Sequence, residues 1–363
     1  MKNSFGNNII LTIFGESHGN SVGFVLDGIP AGISVNEENI KSLLDLRRPS
    51  GSISTARAEN DEFTVHSGVF NGYTCGTPIC VTIRNADARS KDYTEKERLA
   101  RPSHADYTAH VKYRGYEDYR GGGHFSGRIT SAIVAAGGIL IPALNKKGIY
   151  IGTHLKSVAG VSDREFLDIE KDIKNLADAR FAVLDISKKD EMEAKINEAR
   201  ANGDSVGGVL ETAIVGLEAG VGEPWFDTLE GMISHAVFSV PAVKGIEFGA
   251  GFALCDMLGS QANDAITVTN GRTETKTNNS GGINGGISNG MPIIFRTAIK
   301  PTPTIAKEQE TINYVNNENA VISASGRHDP CIAHRARIVL DCISALVVAD
   351  ALATRQGTDW LAL

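Results

Sequence analysis

The chain has 363 residues, 42% hydrophobic and 22% charged, with a formal net charge of -7. That length allows two ordinary domains or one large layered domain, and the acidic balance argues against a general nucleic-acid binder. Five cysteines without a CxxC pair predict neither a disulfide framework nor a zinc site, and no run of eighteen apolar residues predicts a membrane span.

The first residues carry no secretory pattern, so the expected compartment is the reducing cytosol. Residues 8–14 (NIILTIF) are β-branched and read as a buried strand, followed after the polar loop Gly15-Glu16-Ser17-His18-Gly19 by a second strand from Ser21 to Leu26. That loop is either a plain turn with two useful glycines or, with His18 at a strand end, a place for chemistry. Asn36 is a natural N-cap for a helix running to Leu46, and Arg47-Arg48 at its end complement the helix dipole. A polar, turn-rich stretch over 50–62 precedes short strands in 63–84, with turns at Asn71-Gly72 and Gly76-Thr77-Pro78.

Residues 101–128 read RPSHADYTAHVKYRGYEDYRGGGHFSGR. Apolar side chains are scarce there, while three histidines (His104, His110, His124), five cationic side chains and the triple glycine Gly121-Gly122-Gly123 are concentrated. Cations, titratable imidazoles and bare backbone together predict a site for an anionic ligand with proton transfer. The glycine run lacks the spacing of a Walker A or dinucleotide loop, so no nucleotide fold follows from it. Residues 129–143 are rich in small side chains and predict a buried, closely packed helix. Segments 164–178 and 187–202 read as exposed helices, and 205–217 as a strand leading to a helix over about 225–238. This order echoes the N-terminal strand, turn and helix, and predicts an internal duplication. Residues 246–258 and 292–299 are strand-like. Between them, 271–290 is a nearly apolar-free stretch with paired glycines, either a surface loop or a wall over a flat ligand. Lys300-Pro301-Thr302-Pro303-Thr304 is held extended by its prolines. An Arg327-His328-Asp329 cluster then precedes a long helix over 333–354.

GESHG (15–19), RPSHADY…YRGGGHFSGR (101–128) and GRHDPC (326–331) resemble motifs of the chorismate synthase family. The similarity continues in the same order through SGVFNGYTCGTPI (67–79), VKGIEFGAGF (243–252), NNSGGINGGISNG (278–290) and KPTPT (300–304). It implies an α+β fold, a β-α-β sandwich with helices between two antiparallel sheets, internal pseudo-symmetry and one domain over 1–363 with halves near 1–200 and 201–363. It implies 1,4-anti elimination of phosphate from 5-enolpyruvylshikimate 3-phosphate, dependent on reduced FMN, in a cytoplasmic homotetramer. NADPH would enter only to supply reduced flavin, and neither nucleic acid, membrane nor metal is implied.

By position, His18 resembles the histidine that protonates departing phosphate, His104 the one beside the reduced flavin, and Asp329 the residue assisting deprotonation. Arg47, Arg48, Arg101 and Arg128 resemble substrate clamps. Phe125, Ser126, Gly127, Ala242, Gly285, Lys300, Pro301, Thr302, Pro303, Thr304 and Arg327 fall at flavin positions, Arg327 also at a clamp position. The chain departs from the family pattern in having Ser103 and Gly127 for a glycine and an alanine, His124 for an arginine and Ile129 for a glutamate. Ile53 stands for a further arginine and Pro241 for an asparagine. His110 has no catalytic counterpart and reads as scaffold. Two other readings remain: a flavin oxidoreductase drawing on a nicotinamide cofactor, and a non-catalytic binder of phosphorylated or nucleic-acid ligands.

Overall fold

A computed structural model describes residues 2–51, 53–55, 60–86, 98–323 and 329–363. The first half opens with β1 (Ser4–Phe5), β2 (Ile10–Gly15) and β3 (Ser21–Asp27), then α1 (Glu37–Arg47). Asn36 caps α1 as expected, its side chain accepting the Glu38 N–H at 2.9 Å. The strands β4 (Phe63–Ser67), β5 (Val69–Phe70), β6 (Tyr73–Thr74) and β7 (Ile79–Arg84) follow. Asn71 and Gly72 both take positive φ at the β5–β6 turn, the backbone an Asn-Gly hairpin demands.

Next come α2 (Asp106–Tyr113) and α3 (Thr130–Lys146). They lead to β8 (Tyr150–Val158), β9 (Val161–Ser162), α4 (Ile169–Leu176), α5 (Ser187–Ala201) and β10 (Gly208–Val215). After α6 (Leu229–Val237), β11 (Val243–Phe248) and the short α7 (Gly259–Ala262) lie the hairpins β12 (Ile266–Thr269)–β13 (Arg272–Thr275) and β14 (Ile283–Asn284)–β15 (Ile287–Ser288). The strand β16 (Ile293–Ile299), the hairpin β17 (Gln309–Asn313)–β18 (Glu318–Ile322) and the helix α8 (Ala333–Gln356) complete the chain.

Two five-stranded antiparallel sheets result, ordered β1-β2-β3-β7-β4 and β11-β16-β10-β8-β9. Helix α3 packs on the first sheet and α8 on the second, while α1 and α6 pack against these two helices. The α+β sandwich read from the sequence is therefore the architecture. The second sheet draws β8 and β9 from before residue 200.

The helix layer is tight because α3 is nearly all small residues where it crosses its neighbours. A Cβ on Gly137 would lie 2.3 Å from Cys342 Sγ in α8, and one on Gly138 would lie 2.8 Å from Ile40 in α1. Gly127–Lys146 is long and apolar enough to cross a membrane, yet it is this core element, buried over most of its length inside the protein. The ends of the chain are joined as well: Asp350 of α8, fully buried, accepts the backbone N–H groups of Asn7, Asn8 and Ile9 at 2.7–2.9 Å.

The outer face of the second sheet carries a charged ladder under α4 and α5. His154 on β8 is fully buried between Asp163 Oδ2 (2.9 Å) and Glu211 Oε1 (3.1 Å), and Arg296 on β16 reaches Glu211 (2.7 Å). Burial opposes ionisation of Asp163 and Glu211, but the bonds from His154, joined by the Leu184 and Asp185 N–H groups on Asp163 and by Arg296 on Glu211, outweigh it and hold both carboxyls below their ordinary values.

Candidate active site

The triple glycine is the hub of the site. From Arg120 to Phe125 the chain makes 3-10 turns, and Gly121, Gly122 and Gly123 take φ of +60°, +87° and +52°. A Cβ on Gly121 would lie 2.5 Å from His18 Nε2, and one on Gly122 would lie 3.0 Å from His104 Cε1. Only bare backbone lets both imidazoles come this close. The run is stitched to the His18 loop. Ser17 N–H donates to Gly123 O at 3.1 Å, and Ser17 Oγ lies 3.2 Å from Arg120 O. His124 belongs to the same seam: its Nδ1–H donates to Gly15 O at 2.7 Å.

His104 is oriented from behind. Its Nδ1 lies 2.8 Å from Asp106 Oδ1, and Arg101 grips the same carboxylate through Nε (2.8 Å to Oδ2) and Nη2 (2.7 Å to Oδ1). Burial opposes ionisation of Asp106, but the bonds from Arg101 and His104 hold its carboxyl far below the usual range. An ionised acceptor at Nδ1 fixes the tautomer and leaves Nε2, beside Gly122, as the nitrogen for chemistry. The Arg101 fork thus lies on Asp106, within the site. A cavity of about 330 Å³ opens alongside, lined by His104, Gly122, His124, Phe125, Glu16 and Tyr119 among others.

Remote segments close on this cluster. The segment leading into Arg101 pairs with β17: Ala100 N–H donates to Ile312 O at 3.0 Å. Lys300 Nζ donates to Ser103 O, and Lys300 N–H to Ala242 O at 3.0 Å. Burial, with Lys244 nearby, pushes the Lys300 ammonium below its ordinary value. Ser103 stands at φ +60° and Ala242 at φ +74°, so both bear left-handed backbone that glycine would take at less cost. Ser126 caps the turn into α3, its Oγ accepting the Arg128 N–H at 3.3 Å. A Cβ on Gly127 or Gly285 would meet no atom within 4 Å. Gly285 lies at the start of α6, where Leu229 N–H donates to Gly286 O, while Ala242 follows the end of that helix. Thr302 Oγ1 is buried with no hydrogen-bond partner among the described residues. The carbonyls of Thr302 and Pro303 accept from Ser205 Oγ (2.7 Å) and Gln309 Nε2 (3.4 Å), which fixes the extended 300–304 segment.

Beneath the His18 loop lies a buried triad. Asp61 accepts Arg47 Nη2 at 2.8 Å on one oxygen and Arg128 Nη1 on the other, with all three residues no more than 6% exposed. Burial opposes ionisation of Asp61, and the two guanidinium groups reverse that, holding its carboxyl below the usual value. Arg128 also donates from Nε to Asn85 Oδ1 and from Nη2 to Arg84 O, both at 2.9 Å. Arg47 therefore does more than complement the α1 dipole. Arg48 stays nearer the surface on Asp45 (3.1 Å) and Asn60 (3.3 Å).

Asp329 faces the same segment. Its Oδ1 accepts the Thr55 N–H at 2.8 Å and its Oδ2 accepts Arg335 Nη1, whose Nε donates to Arg47 O at 2.8 Å. Ser54 Oγ meets His334 Nε2 at 2.9 Å, and burial pushes His334 down to about 4, so its ring is neutral at pH 7. Hydrogen bonds thus run from the His18 loop through Asn85, Arg128, Asp61, Arg47 and Arg335 to Asp329. Arg327 lies outside the described residues. Ile53 and Ile129 are core residues, and Pro241 is exposed. His110 pairs with Glu117 at 3.0 Å beside Tyr314.

Sequence reasoning missed Asp61, Asn85, Asp106 and Arg335. Asp106 sits two residues from His104 on a new helix, a spacing that pairs them locally. The other three meet partners up to 288 residues away, and no local signal marks them.

Residues 9–353 match the family model for chorismate synthase. A chorismate synthase of Korarchaeum cryptofilum is 45% identical over 348 residues, covering 95% of this chain and 96% of its own. One of Chitinophaga pinensis is 45% identical over 357 residues, covering 98% of each. A crystal structure of chorismate synthase superposes with a TM-score of 0.77 at 30% identity, covering 97% of this chain and 94% of that one. With a family match across nearly its whole length and two five-stranded sheets around a helix layer, the chain belongs to the chorismate synthase family, carbon–oxygen lyases of the shikimate pathway.

Proposed function

We propose that this chain eliminates phosphate from 5-enolpyruvylshikimate 3-phosphate to give chorismate, with reduced FMN bound beside the substrate. The observation that carries this reading is the pair of imidazoles, His18 and His104, pressed against successive glycines of one bare run. His18 donates a proton to the departing phosphate. His104, with Nδ1–H held by Asp106, keeps Nε2 for a hydrogen bond that would help hold a reduced, anionic flavin. Arg47, Arg48, Arg101, Arg128 and Arg327 supply positive charge to the phosphate and carboxylates of the substrate. Asp329 has one hydrogen bond on each oxygen, which leaves lone pairs to assist removal of the ring proton.

The residues present fit a flavin mononucleotide. Gly127 and Gly285 offer unobstructed backbone, Thr302 Oγ1 is a buried polar atom awaiting a partner, and Lys300 has an ammonium that an anion would stabilise. With Phe125, Ser126, Ala242, Pro301, Pro303, Thr304 and Arg327 they would hold the cofactor. When bound, reduced FMN supplies an electron-rich ring that eases cleavage of the allylic C–O bond. NADPH enters only to supply reduced flavin; all strand pairing in the two main sheets is antiparallel, unlike a doubly wound dinucleotide fold. The enzyme works in the cytosol as a homotetramer, for which the exposed Trp225, Phe226 and Phe238 flanking α6 offer apolar surface to bury.

The test is anaerobic incubation of the chain with pre-reduced FMN and 5-enolpyruvylshikimate 3-phosphate. Stoichiometric phosphate and chorismate are expected, and no turnover by correctly folded protein overturns the reading. Aerobic consumption of NADPH with added FMN, without release of phosphate or chorismate from the substrate, would replace it with the flavin-reducing alternative. Light scattering on the eluting protein measures the assembly.

A further inference from the structure

We propose that Asn85 is a positioning residue for His18, holding the turn that carries this imidazole; the inference rests on His18 being the proton donor. Residues 16–19 form a tight turn, with Gly19 N–H donating to Glu16 O at 3.0 Å and His18 on its second half. Asn85 follows the last residue of β7 and reaches into the open end of this turn. Its Nδ2 donates to Glu16 O and to Gly19 O, both at 2.9 Å, while its backbone N–H donates to Asn20 O at 3.2 Å. Its Oδ1 accepts Arg128 Nε at 2.9 Å. The amide orientation follows from chemistry alone, since carbonyls only accept and a guanidinium only donates.

One side chain therefore spans both ends of the turn. It is itself held by Arg128, which Asp61 and Arg84 O fix in turn. From the other side, His18 is met by Gly121, where a Cβ would lie 2.5 Å from its Nε2. The imidazole is thus located by backbone on one side and by the Asn85 amide through its own turn on the other. The hydrogen bonds of Asn85 go to the turn and to Arg128 and, in this reading, not to the reacting atoms, so its effect passes through His18.

Asn85→Asp tests this. It keeps the shape and the oxygen facing Arg128, but it removes both donors and sets a carboxylate against two carbonyls. Expected is a kcat lower by roughly 10²-fold, the order of loss from misplacing a catalytic group by an ångström, with KM changed less than about threefold. Asn85→Ser removes the amide without adding charge and serves if the aspartate variant does not fold. In a His18→Ala background, either change should lower kcat no further. Additive losses overturn the proposal, as does a raised KM with wild-type kcat, which would put Asn85 in substrate binding through Arg128. Wild-type turnover in His18→Ala alone would remove the reading of His18 on which the proposal stands, and that arm identifies such a failure by itself.

Discussion

The imidazole of His18 occupies the space that a side chain on Gly121 would need: a Cβ there would lie 2.5 Å from both Nε2 and Cδ2. The close approach is possible because Gly121 sits at φ +60° without a side chain. Catalytic geometry and backbone conformation are here the same constraint.

Gly121→Ala should therefore leave a folded protein with turnover reduced by about 10²-fold, since the added methyl must displace His18. The left-handed backbone costs alanine only about 1 kcal/mol, so the melting temperature should fall by a few degrees at most. Turnover and circular-dichroism melting on the same sample separate the two effects. A wild-type rate would show that His18 does not need its present place.

Asp106→Asn should lower turnover by roughly 10²–10⁴-fold with little loss of secondary structure, because the amide cannot fix the His104 tautomer as a carboxylate does. Steady-state kinetics with pre-reduced FMN measures it. Unchanged kcat would remove Asp106 from the orientation of His104.

Asp61→Asn leaves the buried Arg47 and Arg128 without their common anion and should destabilise the fold by about 3–5 kcal/mol. If the two arginines also hold an anionic group of the substrate, 5-enolpyruvylshikimate 3-phosphate should restore more thermal stability to this variant than to the wild type. Differential scanning calorimetry with and without ligand reads both numbers, and equal ligand shifts would count against the arginines as clamps.

Acid should loosen the second sheet through the His154 ladder. Asp163 and Glu211 have carboxyl values lowered by folding, so their contribution to stability is fully present above their unfolded values, about pH 4. That contribution is lost as the pH falls through the lower, folded values. Glu211→Gln should thus melt lower at pH 7 and show a shallower decline between about pH 5 and pH 3 than the wild type. Parallel pH profiles of melting temperature would contradict this account.

Much of the fold was legible because its largest helices have simple patterns. The small residues of 129–143 announced a closely packed core helix, and a helix was also legible over 333–354, though its nearly complete burial was not. The reading failed where burial is polar or slight, and the strand read over 246–258 is strand only as far as Phe248, with 3-10 turns from Gly251 to Asp256. The strand β8 carries Thr153 and His154 at full burial, and its sequence, YIGTHLKSV, offers no clean alternation. The helix α2 buries only Ala109 of its eight residues, so no apolar stripe marked it. The hairpin β17–β18 is largely polar and gave no strand signal. At the site, loops rich in histidine, arginine and glycine stood out in the sequence. The carboxylates and the amide that aim them did not, because one aspartate or asparagine looks like any other until a partner 43 or 67 residues away meets it.

The attachment of Asn7, Asn8 and Ile9 to Asp350 has a consequence for biogenesis. At about 5–20 residues per second, a ribosome needs on the order of tens of seconds to make this chain. For most of that time the first strands are outside the exit tunnel while their acceptor has not yet been translated. Helix α8 is the one that ties down residues 7–9, so a nascent chain halted before residue 350 should present an open first sheet to chaperones and proteases.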